Sequence, residues 1–197
     1  MRLYLVRHAR PVVEPGTCYG ATDLDVRDDS AAALHERLVG LLPRDAVLAS
    51  SPLRRCLRTA GALHAAGWAE PIVDARLAEM SFGQWEGRRW DDIPRDEIDA
   101  WSADVARFRP PGGESVSDLA QRAGQALREL VARHAHAGAL VVVTHAGVLQ
   151  TAPRVLAGAP LAGFAGTRVG YGALRVLRRD SAADAFVHDL DIAGEPS

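Results

Sequence analysis

Leu3-Tyr-Leu-Val-Arg7-His8-Ala-Arg-Pro11 places four apolar residues directly before a cation and an imidazole. A short apolar run without polar alternation reads as a strand buried on both faces, the kind found in a parallel sheet covered by helices. Arg7 and His8 then stand at the carboxyl lip of that sheet, where open α/β folds bind ligands. The pair alone leaves two readings open, because a strand-end histidine also serves as a structural hydrogen-bonder. The rest of the chain has to separate them.

Working outward, residues 47–49, 71–73 and 140–143 read as further short buried strands, and the segments between them carry helical spacing. Residues 30–42 place Ala31, Leu34, Leu38, Leu41 and Leu42 on one stripe. Ser51 and Pro52 have the chemistry of an N-cap and a first-turn proline, so a helix is expected to start there. Its stripe is Leu53, Cys56, Leu57, Ala60 and Leu63, with Arg54, Arg55 and Arg58 on other faces. Ser115-x-x-Asp118 predicts a capping box for a long helix to about residue 134, with Val116, Leu119, Ala123, Leu127, Leu130 and Val131 inward. Another helix is expected over 148–156. Residues 163–168, 171–177 and 185–190 read as short strands, the last two an antiparallel pair at the sheet edge. Alternating strands and helices imply an α/β fold, a three-layer α/β/α sandwich whose mostly parallel sheet carries an antiparallel edge strand. With 197 residues, 48% of them hydrophobic, the expectation is one domain over 1–197 with a small helical cap around 88–112.

Net charge is −2, and no polybasic block appears, so neither nucleic acid nor a membrane surface is the expected partner. All 23 cations are Arg, so arginine at any one position is not by itself a sign of bidentate binding. Cys18 and Cys56 could form at most one disulfide and show no metal spacing. Without a basic-apolar-small leader pattern, the cytoplasm is the expected location, with both thiols reduced.

Three of the buried strands end in candidate chemistry: Arg7-His8, Ser50-Ser51 ahead of Arg55, and His145. In a parallel sheet these ends share one side. Two of them adjoin helix starts, whose free amides favour anions. Two arginines and two histidines around such a point suit a dianion such as phosphate. Each of Arg54, Arg55 and Arg58 also reads as part of a solvated face. Residues 11–28 form a long loop of turn formers that leaves from His8, and Glu79 lies between apolar neighbours ahead of a turn bearing Gly83 and Trp85.

These motifs together resemble the histidine phosphatase superfamily, the phosphoglycerate mutase-like phosphatases. Its Arg-His-Gly after the first strand is matched by Arg7-His8-Ala9, and its Ser-x-x-x-Arg-Ala-x-x-Thr-Ala helix by Ser51 to Ala60 with Arg55 at the arginine. Its acid motif, Glu-x-x-Phe/Tyr-Gly-x-Trp-Glu-Gly, is matched by Glu79 to Gly87. Its Pro-x-Gly-Gly-Glu-Ser segment is matched by Pro111-Gly112-Gly113-Glu114-Ser115, and its terminal His-Gly by His145-Ala146. Glu114-Ser115, the Phe82-Gly83-x-Trp85-Glu86-Gly87 form and Thr22-Asp23-Leu24 are most similar to the α-ribazole phosphatases of cobalamin nucleotide-loop assembly. Departures are Ala9 for the motif glycine, Arg10 where glutamate is usual, and no asparagine in the first loop, with Glu14 nearby.

The resemblance implies a metal-independent phosphomonoesterase working through a phosphohistidine, with no cofactor, acting on a small phosphorylated metabolite. A homodimer is compatible with it. It implies His8, Glu79, His145, Arg7 and Arg55 as catalytic residues, and Arg7, Arg55, His145, Thr22 and Ala146 as substrate-binding ones. Neutral His8 attacks phosphorus, Glu79 protonates the leaving oxygen, and the arginines with His145 hold the equatorial oxygens. A mutase, a broad-specificity phosphatase, a phospho-ligand binding module without turnover, and a metal site built on His8, His145 and a carboxylate are the other readings. Arg7 beside the site disfavours the last by repulsion.

Overall fold

A computed structural model describes residues 1–161, 168–180 and 185–195. Among them, six strands make one sheet in the order β3-β2-β4-β1-β5-β6. β1 (Arg2–Arg7), β2 (Val47–Ser50), β3 (Ile72–Val73) and β4 (Ala139–Thr144) are parallel. β5 (Leu174–Asp180) runs antiparallel to β1, and β6 (Ala185–Ile192) antiparallel to β5. The expected mostly parallel sheet with an antiparallel edge is present. The strand expected over 163–168 lies outside the described residues except for Arg168.

The side chains of β1 alternate between two cores. Leu3 and Leu5 join Leu140 and Val142 against Leu119, Leu127 and Leu149 on one face, while Tyr4 and Val6 join Val141 and Val143 against Leu34, Leu38 and Leu63 on the other. The first face is covered by α4 (Val116–Arg133) and α5 (Ala146–Leu156), the second by α1 (Asp28–Leu41) and α2 (Arg54–Ala65). Both faces being apolar is why β1 and β4 read as continuous apolar runs rather than alternating ones. Each fully buried leucine of these layers contributes about 2 kcal/mol of transfer free energy. No helix among the described residues is long and apolar enough to cross a membrane.

A third, aromatic cluster lies beyond the sheet. Trp85, Cys18 and Ile93 are its buried centre, and α3 (Arg95–Ala103) brings Ile98 and Trp101 against it. Trp90 stacks on Trp101 at 5.5 Å between ring centroids, and Phe108 stacks on Trp85 at 5.8 Å. Trp85 Nε1 donates to Glu97 at 2.6 Å, which satisfies the indole where its ring is buried.

Local expectations fail at three places. α2 starts at Arg54, not at Ser51-Pro52: the Ser51 hydroxyl accepts from the Leu53 amide at 3.3 Å and also meets His145, while the Arg54 amide that opens the helix is capped at 2.7 Å by Asp23 from the first loop. Leu41 and Leu57, assigned to buried stripes, are exposed: α1 buries Ser30, Leu34 and Leu38, and α2 turns Arg55 and Thr59 inward. Arg55 is therefore on the buried side of α2 rather than on another face.

The capping box is formed as expected. Ser115 Oγ accepts from the Asp118 amide at 3.2 Å, and Asp118 accepts from the Ser115 amide at 2.8 Å. Ser115 is itself buried, so Ser115→Ala should lower unfolding free energy by about 1 kcal/mol. Urea denaturation monitored by circular dichroism measures this, and an unchanged midpoint would contradict the role given to the cap.

Candidate active site

Register brings the histidines together. β1 pairs with β4 so that Arg7 lies opposite Thr144, and β2 pairs with β4 so that Ser50 lies opposite Val143. The ladder runs on past the strand ends: the His8 amide donates to Thr144 O at 3.1 Å and the Ser51 amide to Val143 O at 3.0 Å. His8, His145 and Ser51 consequently stand side by side at one lip, with the two imidazoles edge to face at 5.1 Å between centroids.

Each ring's protonation follows from its partner. His8 Nδ1 lies 2.7 Å from Ala9 O. A carbonyl only accepts, so Nδ1 carries the hydrogen and the Nε2 lone pair is left for chemistry. Burial, then the charges of Arg55 and Arg7, hold the His8 pKa well below its usual value. His145 Nδ1 accepts from Arg55 Nε at 3.3 Å, and its Nε2 meets Ser51 Oγ at 2.7 Å. Burial, His8 and the same arginines hold the His145 pKa well below its usual value too. Cys56 Sγ lies 3.4 Å from His145 Nε2, and burial pushes this thiol up, so it stays protonated.

Arg55 is fully buried. Three of its five N–H groups go to the protein: Nε to His145, one Nη to Thr22 O at 2.7 Å and the other to Gly20 O. Arg7 stacks on Tyr171, its guanidinium carbon 4.0 Å from the ring centroid, and donates to Val169 O. Its Nε is buried and has no hydrogen-bond partner. Buried donors are nearly always paired, so this one is a marker for a missing acceptor.

Glu79 faces the same space. One carboxylate oxygen accepts from the Met80 amide at 3.0 Å and the other from the Gly147 amide at 3.1 Å, at the first turn of α5. A Cβ on Gly147 would come 2.4 Å from Glu79 Oε1, so any other residue there would displace the carboxylate from this position. Glu86, seven residues on, does a different job. It accepts from the amides of Gly20, Ala21, Thr22 and Phe82 and from the Thr22 hydroxyl, tying the first loop to the turn after Glu79. Burial would raise its pKa, but these donors outweigh it and hold the group below its usual value.

These side chains line a cavity of about 1060 Å³. Arg7, His8, Arg55, Glu79 and Ala146 form one end. The first loop contributes Val12, Glu14 and Tyr19, as its exit from His8 led us to expect, and Arg10, Phe82, Trp90 and Arg168 complete the walls. Of the expected site residues, Thr22 and His145 do not line it. Thr22 is spent on Glu86 and Arg55, and His145 is fully buried with both ring nitrogens on protein partners. Tyr171, Gly147 and Arg122 were missed. Tyr171 is brought in by an antiparallel edge remote in sequence, Gly147 had only its place one residue after the motif to mark it, and Arg122 looked like any polar position on α4.

Residues 3–189 match the sequence profile of the histidine phosphatase superfamily (branch 1). Over 174 residues the chain is 33% identical to a glucosyl-3-phosphoglycerate phosphatase of Mycolicibacterium vanbaalenii, covering 81% of this chain and 76% of that protein. It is 30% identical over 179 residues to the adenosylcobalamin/alpha-ribazole phosphatase of Escherichia coli K12, with 87% of each covered. Its fold superposes on the native structure of a mycobacterial glucosyl-3-phosphoglycerate phosphatase with a TM-score of 0.82 at 27% identity, covering 100% of this chain and 99% of that one.

The two neutral imidazoles make stability depend on pH in a stated direction. Both have folded pKa values below the unfolded value of about 6.5. Below that pH the unfolded chain binds more protons, so their contribution is complete above about 6.5 and is lost as pH falls from there toward the folded values. Urea midpoints should drop as pH is lowered from neutrality to 5, and less steeply in His8→Gln. Equal slopes for the two proteins would show that His8 is not held neutral.

Proposed function

The chain belongs to the histidine phosphatase superfamily, and from that premise we propose that it is a metal-independent phosphomonoesterase whose nucleophile is His8. One observation carries the proposal: the Nδ1 bond to Ala9 O leaves Nε2 unprotonated on a ring that lines the same cavity as two guanidiniums and a carboxylate. Nε2 attacks phosphorus in line, the phosphorus–oxygen bond to the leaving group breaks, and Glu79 donates a proton to the departing oxygen. Glu79 then takes a proton from water as the water attacks the phosphohistidine, releasing inorganic phosphate and restoring both groups. The orphan Nε of Arg7 and the two uncommitted N–H groups of Arg55 are the donors for the equatorial oxygens. These fixed positive charges neutralise the transition state where other phosphatases use a cation. His145 serves behind Arg55, fixing the guanidinium through Nε, and is itself held neutral beside the nucleophile by burial.

The substrate proposed is a small phosphorylated metabolite. The motif resemblance and the Escherichia coli relative support α-ribazole 5′-phosphate, and the mycobacterial relative supports glucosyl-3-phosphoglycerate. The residues that gave the first resemblance are occupied with the scaffold: Glu114 and Ser115 in an ion pair and a helix cap, Glu86 in the loop tie, Asp23 in capping Arg54. They speak for shared architecture, and the leaving group is to be identified by assaying both phosphates beside p-nitrophenyl phosphate.

His8→Ala should abolish turnover, a loss of several orders of magnitude, since the covalent route disappears. Rapid quench of the wild type with substrate should trap acid-labile, base-stable phosphate on the protein. No phosphoenzyme together with equal rates for the two proteins would overturn the nucleophile.

Arg55→Ala should lower kcat by about 10²–10³, the usual cost of losing one transition-state donor. Arg58→Ala should cost little, because Arg58 pairs with Asp28 at the surface. Steady-state kinetics of the two variants decide it, and equal losses would refute the role of Arg55.

A further inference from the structure

We infer that Arg122, held by Glu114, is the positioning residue that sets the general acid Glu79. The inference rests on the assignment of Glu79 above and extends it to a side chain outside the cavity.

Residues 78–82 connect two turns without any strand or helix to hold them. Side chains hold their backbone instead: Glu86 accepts from the Phe82 amide, and one guanidinium from α4 takes the carbonyls around the acid. Arg122 Nη1 donates to Arg76 O at 2.8 Å and Ala78 O at 2.7 Å, and Nη2 donates to Glu79 O at 2.9 Å. Its remaining N–H groups go to the Glu114 carboxylate as a bidentate pair, both at 2.8 Å. All five donors are thereby used, two of them on the carbonyls of Glu79 and of the residue before it, and a third on Arg76 O one turn upstream. Glu114 closes the frame from the other side by accepting the Ser81 amide at 2.9 Å. Glu79 sits inside it, its carboxylate aimed at the Gly147 amide.

Proton transfer needs the acid within about 2.6–3.2 Å of the leaving oxygen, and a displacement of about 1 Å can cost two orders of magnitude. Lysine cannot replace this frame, since an ammonium is a point charge that offers three donors without the planar fork. The Arg122–Glu114 pair is only about a quarter exposed, at 22% and 28%, so it is screened less than a surface pair. A merely structural staple would lower stability and slow every substrate alike. A positioning role has a different signature, because an alkyl leaving group needs the Glu79 proton for its departure as well as the Glu79 base for the hydrolysis of the phosphohistidine, whereas an aryl one needs only the second.

The test compares an alkyl phosphate with p-nitrophenyl phosphate in Glu79→Gln, Arg122→Lys, Glu114→Gln and the double variant Glu79→Gln/Arg122→Lys, with thermal melts run alongside. Glu79→Gln should lose about 10²–10⁴ in kcat on the alkyl phosphate and much less on the aryl one. Arg122→Lys and Glu114→Gln should show the same leaving-group dependence at about 10–10², with KM little changed. In the double variant, Arg122→Lys should add nothing on the alkyl phosphate, because its effect passes through the carboxyl proton that Glu79→Gln has already removed. Equal losses on both substrates, or losses that multiply in the double variant, overturn the inference while leaving Glu79 as the acid. If Glu79→Gln itself shows no leaving-group dependence, the acid assignment fails, and this inference with it. Should Arg122→Lys fold poorly, Glu114→Gln decides alone, by the same comparison.

Discussion

The parallel pairing of β1 with β4 is the constraint from which the site follows. With Arg7 opposite Thr144, the residues after each strand are His8 and His145, and their rings must meet. Alternation along both strands sends Leu3, Leu5, Leu140 and Val142 to one core and Tyr4, Val6, Val141 and Val143 to the other. A slip of one residue would turn every one of these side chains to the opposite face and separate the imidazoles. The same burial that specifies the register therefore specifies the distance between the two histidines.

Bringing charge to that lip has a desolvation cost, and the structure offsets it by fixing donors rather than by pairing each cation with a carboxylate. Arg55 is buried against three protein acceptors, one of them His145. Arg7 lies on the face of Tyr171, where the ring quadrupole favours a cation. Burial first, and then the two fixed guanidiniums, disfavour a charge on either imidazole, so the histidines remain neutral and the surplus is directed at an anion. The donors are already in place before any charge develops, which is the condition for strong electrostatic stabilisation.

Three glutamates lie near one another in the fold and differ only in what surrounds them. Glu86 is saturated by four amides and a hydroxyl, and Glu114 is matched to a guanidinium and an amide. Glu79 keeps contact with the cavity and is held by just two amides. A carboxylate whose lone pairs are all engaged is a fastener, and one that keeps a face to the cavity can exchange a proton. Hydrogen-bond saturation, rather than residue type, divides the work among them.

The amino-acid sequence by itself determined the layers, the four parallel strands and the convergence of Arg7, His8, Arg55 and His145, because buried strands and amphipathic helices leave periodic patterns and these residues sit at or just past the strand ends; Glu79, in a segment without periodicity, was marked only by its family motif. It also determined the capping box at Ser115, where donor and acceptor are three residues apart. Tertiary structure alone decided which way single residues turned. Ser51 had the chemistry of a helix cap and its hydroxyl does accept from the Leu53 amide, yet the same hydroxyl also meets His145, 94 positions away, and it is Asp23 of the first loop that takes the Arg54 amide where α2 starts. Thr22 was taken from substrate by Glu86 and Arg55, and His145 from the cavity wall by Arg55 and Ser51. Arg122 and Gly147 acquired their roles from loops packed against them. In each case the partner is remote along the chain, and a hydrogen bond between remote residues leaves no spacing in the sequence to read.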